Sequence, residues 1–143
     1  MPYRFLEDLA TADIAFEATG KTIEELFTEA ALATTNVMVR DLKKIQEKER
    51  REIKVEADAI DMLLFNFLQE IIFYKDAEQL IFFRYDVKIK QEDPHFKLEA
   101  KLYGERLDMN KHDLIVDVKA VTLHKFEVKK TDAGWETVVI LDI

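Results

Sequence analysis

The stretch "VVILDI", residues 138–143, ends the sequence with four apolar residues, Asp142 and Ile143. A short apolar run of this kind predicts a buried strand. A carboxylate directly after such a strand lies at the edge of a sheet, where sheets present polar groups. The residues that neighbour Asp142 in the sheet therefore decide both the topology and the chemistry of the protein.

The composition predicts one globular domain without disulfides. The chain has 143 residues, of which 48% are hydrophobic and 35% are charged, a balance typical of a single folded domain. The absence of cysteine excludes disulfides, thiolate metal sites and a cysteine nucleophile. We recognise no secretory leader and no apolar run near the ~20 residues of a membrane span, so we expect a cytoplasmic protein without a membrane partner. The net charge of −8 disfavours direct binding of nucleic acid.

The first part of the chain predicts a strand followed by a helix. "TADIAFEATG", residues 11–20, alternates apolar side chains with a period of two, which predicts a strand. Thr22 and Glu25 form a capping-box pattern at the start of an amphipathic stretch. We therefore expect a helix over 22–38.

A second strand and helix follow. The charge run over 43–52 mixes both signs, which favours a solvated connection over a nucleic-acid site. It leads into a short alternating strand over 53–57. Asp58 is a candidate cap for the next helix, "IDMLLFNFLQEIIF", whose apolar residues recur at helical spacing. We expect this helix over 59–73.

Four strands complete the pattern. Residues 83–90 and 96–102 alternate apolar and charged side chains on either side of a turn, which predicts a hairpin with one solvated face. A long strand is expected over 115–128 and the last strand over 135–141. The order of the elements predicts an α/β (α+β) two-layer sandwich, in which a mixed, largely antiparallel sheet carries two helices on one face. We find no linker or repeat that would divide residues 1–143.

Two carboxylates lie at the ends of predicted strands. Asp13 opens the first strand and Asp142 ends the last one. If these strands are neighbours, both side chains and the terminal carboxylate of Ile143 converge. Converging carboxylates need a compensating positive charge, and hard divalent cations bind oxygen ligands. We expect Ca²⁺, with Mg²⁺ or Mn²⁺ as alternatives; otherwise Asp13 is a turn residue and Asp142 a solvated terminus.

The histidines and one lysine give weaker evidence for a functional site. No two of His95, His112 and His124 are spaced for a zinc site. We expect His95 to be exposed and His124 to be a hydrogen-bonded core histidine. For His112, ordinary exposure is favoured over a phosphate or carboxylate contact. Lys119 falls within an apolar strand, where it needs an anionic partner unless its side chain reaches solvent.

The sequence has few of the residue patterns that common catalytic sites require. Serine is absent, no threonine has a neighbourhood that would activate it, and the glycines stand alone rather than in a phosphate-binding loop. A metal-dependent phosphoester hydrolase built on the two aspartates is a weaker interpretation, because such enzymes commonly gather two metals and more ligands.

Four stretches together carry a resemblance to a known family: "TADIAFEATG", "IDMLLFNFLQEIIF", "VDVKAVTLHKFEV" and "VVILDI". They resemble the archease family in order and over essentially the whole chain. The resemblance implies an α/β sandwich. It also implies a non-enzymatic cytoplasmic protein that activates the GTP-dependent tRNA-splicing ligase, by promoting its guanylylation and multiple turnover.

The resemblance also implies site residues. The acidic metal site of the family maps onto Asp13 and Asp142, with the carboxylate of Ile143 as a neighbour. A role in activating the partner falls on Lys111 or Lys119, and His112 beside Lys111 is a further candidate.

The chain departs from the family pattern at one position. Archeases usually have a histidine directly before T-A-D, where this chain has Ala10. The role of that histidine is therefore in question here. A chaperone-like modulator of tRNA-modifying enzymes is the alternative function that a protein of this kind leaves open.

Overall fold

The computed structural model describes residues 2–6 and 13–143. Within these residues the chain forms eight strands and two α-helices. The strands are β1 Tyr3–Leu6, β2 Asp13–Gly20, β3 Glu49–Ala57, β4 Leu80–Glu92, β5 His95–Arg106, β6 Ala120–Val121, β7 Glu127–Thr131 and β8 Gly134–Asp142, and the helices are α1 Ile23–Met38 and α2 Ile60–Glu78.

The strands form two antiparallel sheets around the helices. One sheet has the order β1-β2-β8-β6, with β7 also paired to β8, and the other has the order β3-β5-β4. The predicted α+β class is confirmed, but the strands form two sheets and not the single mixed sheet that was predicted. The division arises because β3 pairs with β5 of the long hairpin and not with β2. Each sheet then turns one apolar face toward the helices.

The first helix begins as the sequence predicts. The Glu25 N–H donates to Thr22 Oγ1 at 3.1 Å, which satisfies one of the free amides of the first turn. The apolar stripe of α1 is fully buried and includes Leu26, Phe27 and Ala30. This stripe packs against β2 of one sheet and β4 of the other, so α1 joins the two sheets.

The second helix is longer than predicted and starts differently. It runs to Glu78 rather than to residue 73 and ends at Gln79, whose left-handed backbone has a φ of 56°. The prediction that Asp58 caps it is wrong, because the cap residue is Ala59 and makes no side-chain hydrogen bond. Asp58 instead contacts His95 across the end of the three-stranded sheet, at 2.6 Å.

The long strand predicted over 115–128 does not form. Only Ala120 and Val121 of this segment pair before β7 begins at Glu127. Between them the chain turns at Lys125, which has a φ of 53°. The side chain of Leu123 is 57% exposed at this turn. The alternation of apolar residues therefore continues through a segment whose backbone leaves the sheet.

Gly104 lies where β5 and β4 approach each other too closely for a side chain. A Cβ at this position would lie 1.8 Å from the carbonyl oxygen of Ile81, where the register between β4 and β5 shifts. Because the obstacle is backbone, a side-chain rotation cannot relieve the clash.

We expect Gly104→Ala to lower the free energy of unfolding by at least about 2 kcal/mol, the scale of overpacking in a closed core. Lys101→Ala, on the exposed face of the same strand, serves as the control and should change it by less than about 0.5 kcal/mol. Urea denaturation monitored by circular dichroism measures both. Equal stability of the two variants would contradict the close approach.

Candidate metal centre at the ends of β2 and β8

The ends of β2 and β8 bring two distant carboxylates together. The strands pair antiparallel from Asp13 opposite Asp142 to Gly20 opposite Trp135. The condition stated from the sequence, that these two strands are neighbours, is therefore met, and the two aspartates are direct cross-strand partners.

The backbone geometry makes this an especially close pair. The carbonyl of Asp142 accepts a hydrogen bond from the Lys119 N–H at 2.8 Å, so it points away from β2. Asp13 and Asp142 therefore form a pair of the non-hydrogen-bonded kind, in which facing Cα atoms are about 4.5 Å apart and side chains are closest. Both side chains lie on the same face of the sheet, so their carboxyl groups can reach one common point.

The neighbouring residues fix which face this is. Leu141, next to Asp142, is a fully buried member of the core, and Ile14, next to Asp13, is partly buried and packs against it. Since side chains alternate along a strand, Asp13 and Asp142 occupy the outer face, and both are half-buried. Ile143, next to Asp142, is half-buried and packs against the core.

The donors at this end are all oxygens. Across residues 2–6 and 13–143, no three side chains of His, Cys, Asp or Glu are placed to share one ion. Asp13 and Asp142 could supply two carboxylates, and the Ile143 carboxylate and water would have to complete the shell. Such a set is suited to a hard cation that accepts carboxylate and water oxygens, and is unsuited to zinc.

Lys119 lies beside this site but differs from the sequence-based expectation. It is exposed and precedes β6, rather than lying within a central strand. Of the two alternatives, the one in which the Lys119 side chain reaches solvent is observed. Its backbone N–H contacts Asp142, while its side chain is open to solvent.

Lys111 and His112 lie at a second polar cluster around Glu105. The carboxylate of Glu105 is 4% exposed and accepts two hydrogen bonds from Lys111 Nζ, at 2.7 and 2.9 Å. Lys111 Nζ also donates to Gln46 Oε1 at 2.8 Å, and the Gln46 N–H donates to Glu105 at 2.7 Å. These contacts fasten the loop after β5 to the segment before β3.

His112 is part of this cluster, and the expectation that it is exposed was wrong. It is 2% exposed. Its Nδ1 accepts from the Asp108 N–H at 2.9 Å, so Nε2 carries the proton and donates to Glu105 at 3.1 Å. The carboxylate contact that the sequence offered as the alternative is the one observed.

The two remaining histidines both lie near the surface. The side chain of His95 is 41% exposed, in line with the prediction, and is hydrogen-bonded to Asp58. His124 is exposed at the turn before β7, so the expected core position is wrong, because the strand predicted around it does not form. Ala10 lies outside the described residues.

Like Glu105, the buried charged residue Lys75 was not predicted from the sequence. It is 9% exposed, and its ammonium contacts Asp117, Asp76 and the carbonyl of Val118. The signal was present, because Lys75 follows Ile71 at the spacing of the buried stripe of α2. A lysine in such a stripe indicates a buried anionic or carbonyl partner.

With the fold and the acidic pair in place, comparison with known proteins defines the class. The sequence matches the Archease protein family over residues 3–143, and the chain belongs to this family. It is 40% identical over 134 residues to protein archease of Pyrococcus abyssi, which covers 93% of this chain and 94% of that protein. It is 34% identical over 142 residues to protein archease of Methanosarcina mazei, covering 99% and 95%.

Two solved structures share the fold. The solution structure of Methanobacterium thermoautotrophicum protein 1598 superimposes with a TM-score of 0.84 at 31% identity, covering 99% of both chains. The crystal structure of an archease from Thermotoga maritima, described as a possible chaperone, gives 0.58 at 22% identity, covering 94% of this chain and 93% of that one. In the part of this chain that is described, neither helix has the length and continuous apolar character that crossing a membrane would need.

The Glu105 cluster generates a pH prediction. Burial alone would raise the pKa of Glu105, but hydrogen bonds from Lys111, the Gln46 amide and His112 outweigh it and hold the pKa at about 2, against 4.5 for the free group. Because the pKa is lower in the folded state, the carboxylate stabilises the fold above pH 4.5 and loses this contribution as the pH falls toward 2.

We expect Glu105→Gln to lower the free energy of unfolding at pH 7 by about 3 kcal/mol. The difference from wild type should narrow steadily between pH 4.5 and 2, where the wild-type carboxylate becomes protonated. Glu99→Gln, on the exposed side of the same strand, is the matched control and should leave stability nearly unchanged. Denaturant melts across this pH range measure the difference; a gap that stays constant down to pH 2 would argue against the cluster.

Proposed function

We propose that this archease is a non-enzymatic activator of a GTP-dependent tRNA-splicing ligase, and that it promotes guanylylation and multiple turnover of the ligase. Membership of the family supports the class of protein, and the facing pair of Asp13 and Asp142 is the observation that supports the site. The two carboxylates occupy one end of the five-stranded sheet, outside the core, where a partner can approach them.

The acidic pair holds a divalent cation in this proposal. Asp13 and Asp142 supply the carboxylates, and the carboxylate of Ile143 is the neighbouring donor. Ca²⁺ suits this set best because it tolerates a flexible shell completed by water, whereas Mg²⁺ and Mn²⁺ are the alternatives. When bound, the cation would offset the repulsion between the carboxylates and supply a positive charge for phosphate oxygens.

The protein then acts by holding its functional residues in fixed positions. Backbone pairing with β2 on one side and with the segment before β6 on the other fixes Asp142 before any partner arrives. The acidic end of the sheet approaches the nucleotide site of the ligase, where it helps to position GTP for attack by the ligase. Lys119, exposed beside Asp142, is better placed than Lys111 to contact the partner, because Lys111 is engaged by Glu105.

The charge of the protein fits a ligase and not an RNA as the partner. A net charge of −8 steers the protein toward the basic surface that an RNA ligase presents to its substrate. The same charge repels the RNA itself, so the activator does not compete with the substrate as a polycation would.

The experiment is a guanylylation assay with the tRNA-splicing ligase of the same organism. We expect Asp13→Asn and Asp142→Asn each to reduce stimulation at least about tenfold, the scale on which loss of metal-site groups acts. Asp132→Asn is the matched control: it is exposed in the turn at the other end of β8, about 27 Å away along the strand, and should stimulate like wild type.

The other outcomes discriminate between functions. Full stimulation by both Asn variants contradicts the proposal. Phosphoester hydrolysis by the purified protein alone, lost in Asp142→Asn, would identify a hydrolase. Association with a tRNA-modifying enzyme and not with the ligase would identify a chaperone-like modulator.

A further inference from the structure

The buried ammonium of Lys75 contacts the segment that runs beside Asp142. It occupies the last turn of α2 and is 9% exposed, whereas Asp76 and Asp117 keep their carboxylates largely in solvent. An ammonium has three protons, and the three acceptors at Asp76, Asp117 and the Val118 carbonyl match that number. The cation is thus buried with its hydrogen-bonding capacity satisfied, as burial of a charge requires.

These contacts fix a segment that belongs to no long strand. Lys75 contacts Asp117 and Val118 directly, and Val118 is fully buried. Three residues further on, the Val121 N–H donates to Gln69 Oε1 of the same helix at 2.8 Å. Helix α2 therefore holds the segment from 117 to 121 at two points, each through a polar side chain.

The same segment fixes Asp142. Between the two points of attachment, the Lys119 N–H donates to the carbonyl of Asp142 at 2.8 Å, and Ala120 pairs with Asp142. Asp13, on the other side, faces Asp142 without a backbone hydrogen bond of that pair. The position of the Asp142 backbone thus depends on the segment that Lys75 anchors.

We infer that Lys75 is a positioning residue for the acidic pair, acting through Val118 and Lys119 on Asp142. The inference rests on the proposed function for its consequence, because the distance between the two carboxylates matters to the partner only if they share a cation. The geometric part, which links Lys75 to the Asp142 backbone, is independent of that function.

The test compares Lys75→Met with Arg51→Met in the full chain. Methionine keeps the buried aliphatic volume of Lys75 and removes its charge. Arg51 also binds the last turn of α2, through Glu78 at 2.7 Å, but it leads to β3 of the other sheet. Each variant loses two ion pairs near the same end of the same helix, those of Lys75 with Asp76 and Asp117 or those of Arg51 with Glu49 and Glu78. Only Lys75→Met should release the segment beside Asp142.

The first readout is amide hydrogen exchange of Lys119, measured in EDTA. After correction for global stability, exchange should be at least about tenfold faster in Lys75→Met and unchanged in Arg51→Met. The second readout is the affinity for Ca²⁺ by calorimetric titration, which should fall about tenfold in Lys75→Met alone, the lower end of the range for groups that orient metal ligands.

Asp117→Asn provides a second variant in case Lys75→Met does not fold. Asp117 is exposed, and Lys75 keeps its contacts with Asp76 and Val118 in this variant, so no buried charge is left without a partner. It should shift both readouts in the same direction by a smaller factor. Unchanged exchange at Lys119 in Lys75→Met, or in Asp117→Asn if the former does not fold, overturns the inference. Faster exchange in a protein whose wild type binds no Ca²⁺ supports the geometric link and counts against the proposed metal site.

Discussion

The antiparallel pairing of β2 with β8 is the constraint on which the rest of the structure depends. Strand β8 pairs with β2 on one edge and with β6 and β7 on the other, so it is the central strand of the five-stranded sheet. Its apolar run explains this position, because Val139 and Leu141 are fully buried against the helices. The same pairing joins the beginning and the end of the chain at Asp13 and Asp142.

The register of this pairing links stability to the site. Phe16 faces Val139 on the core side, and each fully buried apolar side chain contributes about 1.5–3 kcal/mol. A slip by one residue would turn these side chains to solvent and Asp142 toward the core. Packing of the core therefore fixes the register that brings the two carboxylates opposite each other. No additional interaction at the site is needed to set this register.

Patterns local in sequence were predicted well. The capping box at Thr22, the stripe of α2 and the hairpin around residue 93 are each defined by residues near one another, and each is present in the structure. The strand over 115–128 was predicted wrongly. Its apolar residues alternate as they would in a strand, but the backbone turns at Lys125. Strand β1 was missed because its four residues are too short to show a period.

The geometry of the candidate site could be predicted only in part, for the same reason. The aspartates could be recognised from their places at strand ends, whereas the partners of buried polar residues are set by tertiary contacts. His112 looks like a loop residue until Glu105 is placed beside it, and Lys75 looks like a surface lysine until α2 meets Val118. Val118 is 43 residues from Lys75, and Glu105, although only seven residues from His112, lies on β5 while His112 lies in the loop that follows, so neither contact can be read from the local pattern.

The most direct test of the account is a titration of the ¹⁵N-labelled protein with Mn²⁺, followed in the two-dimensional ¹H–¹⁵N spectrum. If the ends of β2 and β8 share one cation, paramagnetic broadening should appear first at the amides of Asp13, Lys119, Asp142 and Ile143. The hairpin turn around Asp132, at the far end of β8, should remain sharp. Broadening that begins elsewhere, or that reaches Asp13 and Asp142 at different Mn²⁺ concentrations, would contradict a joint site.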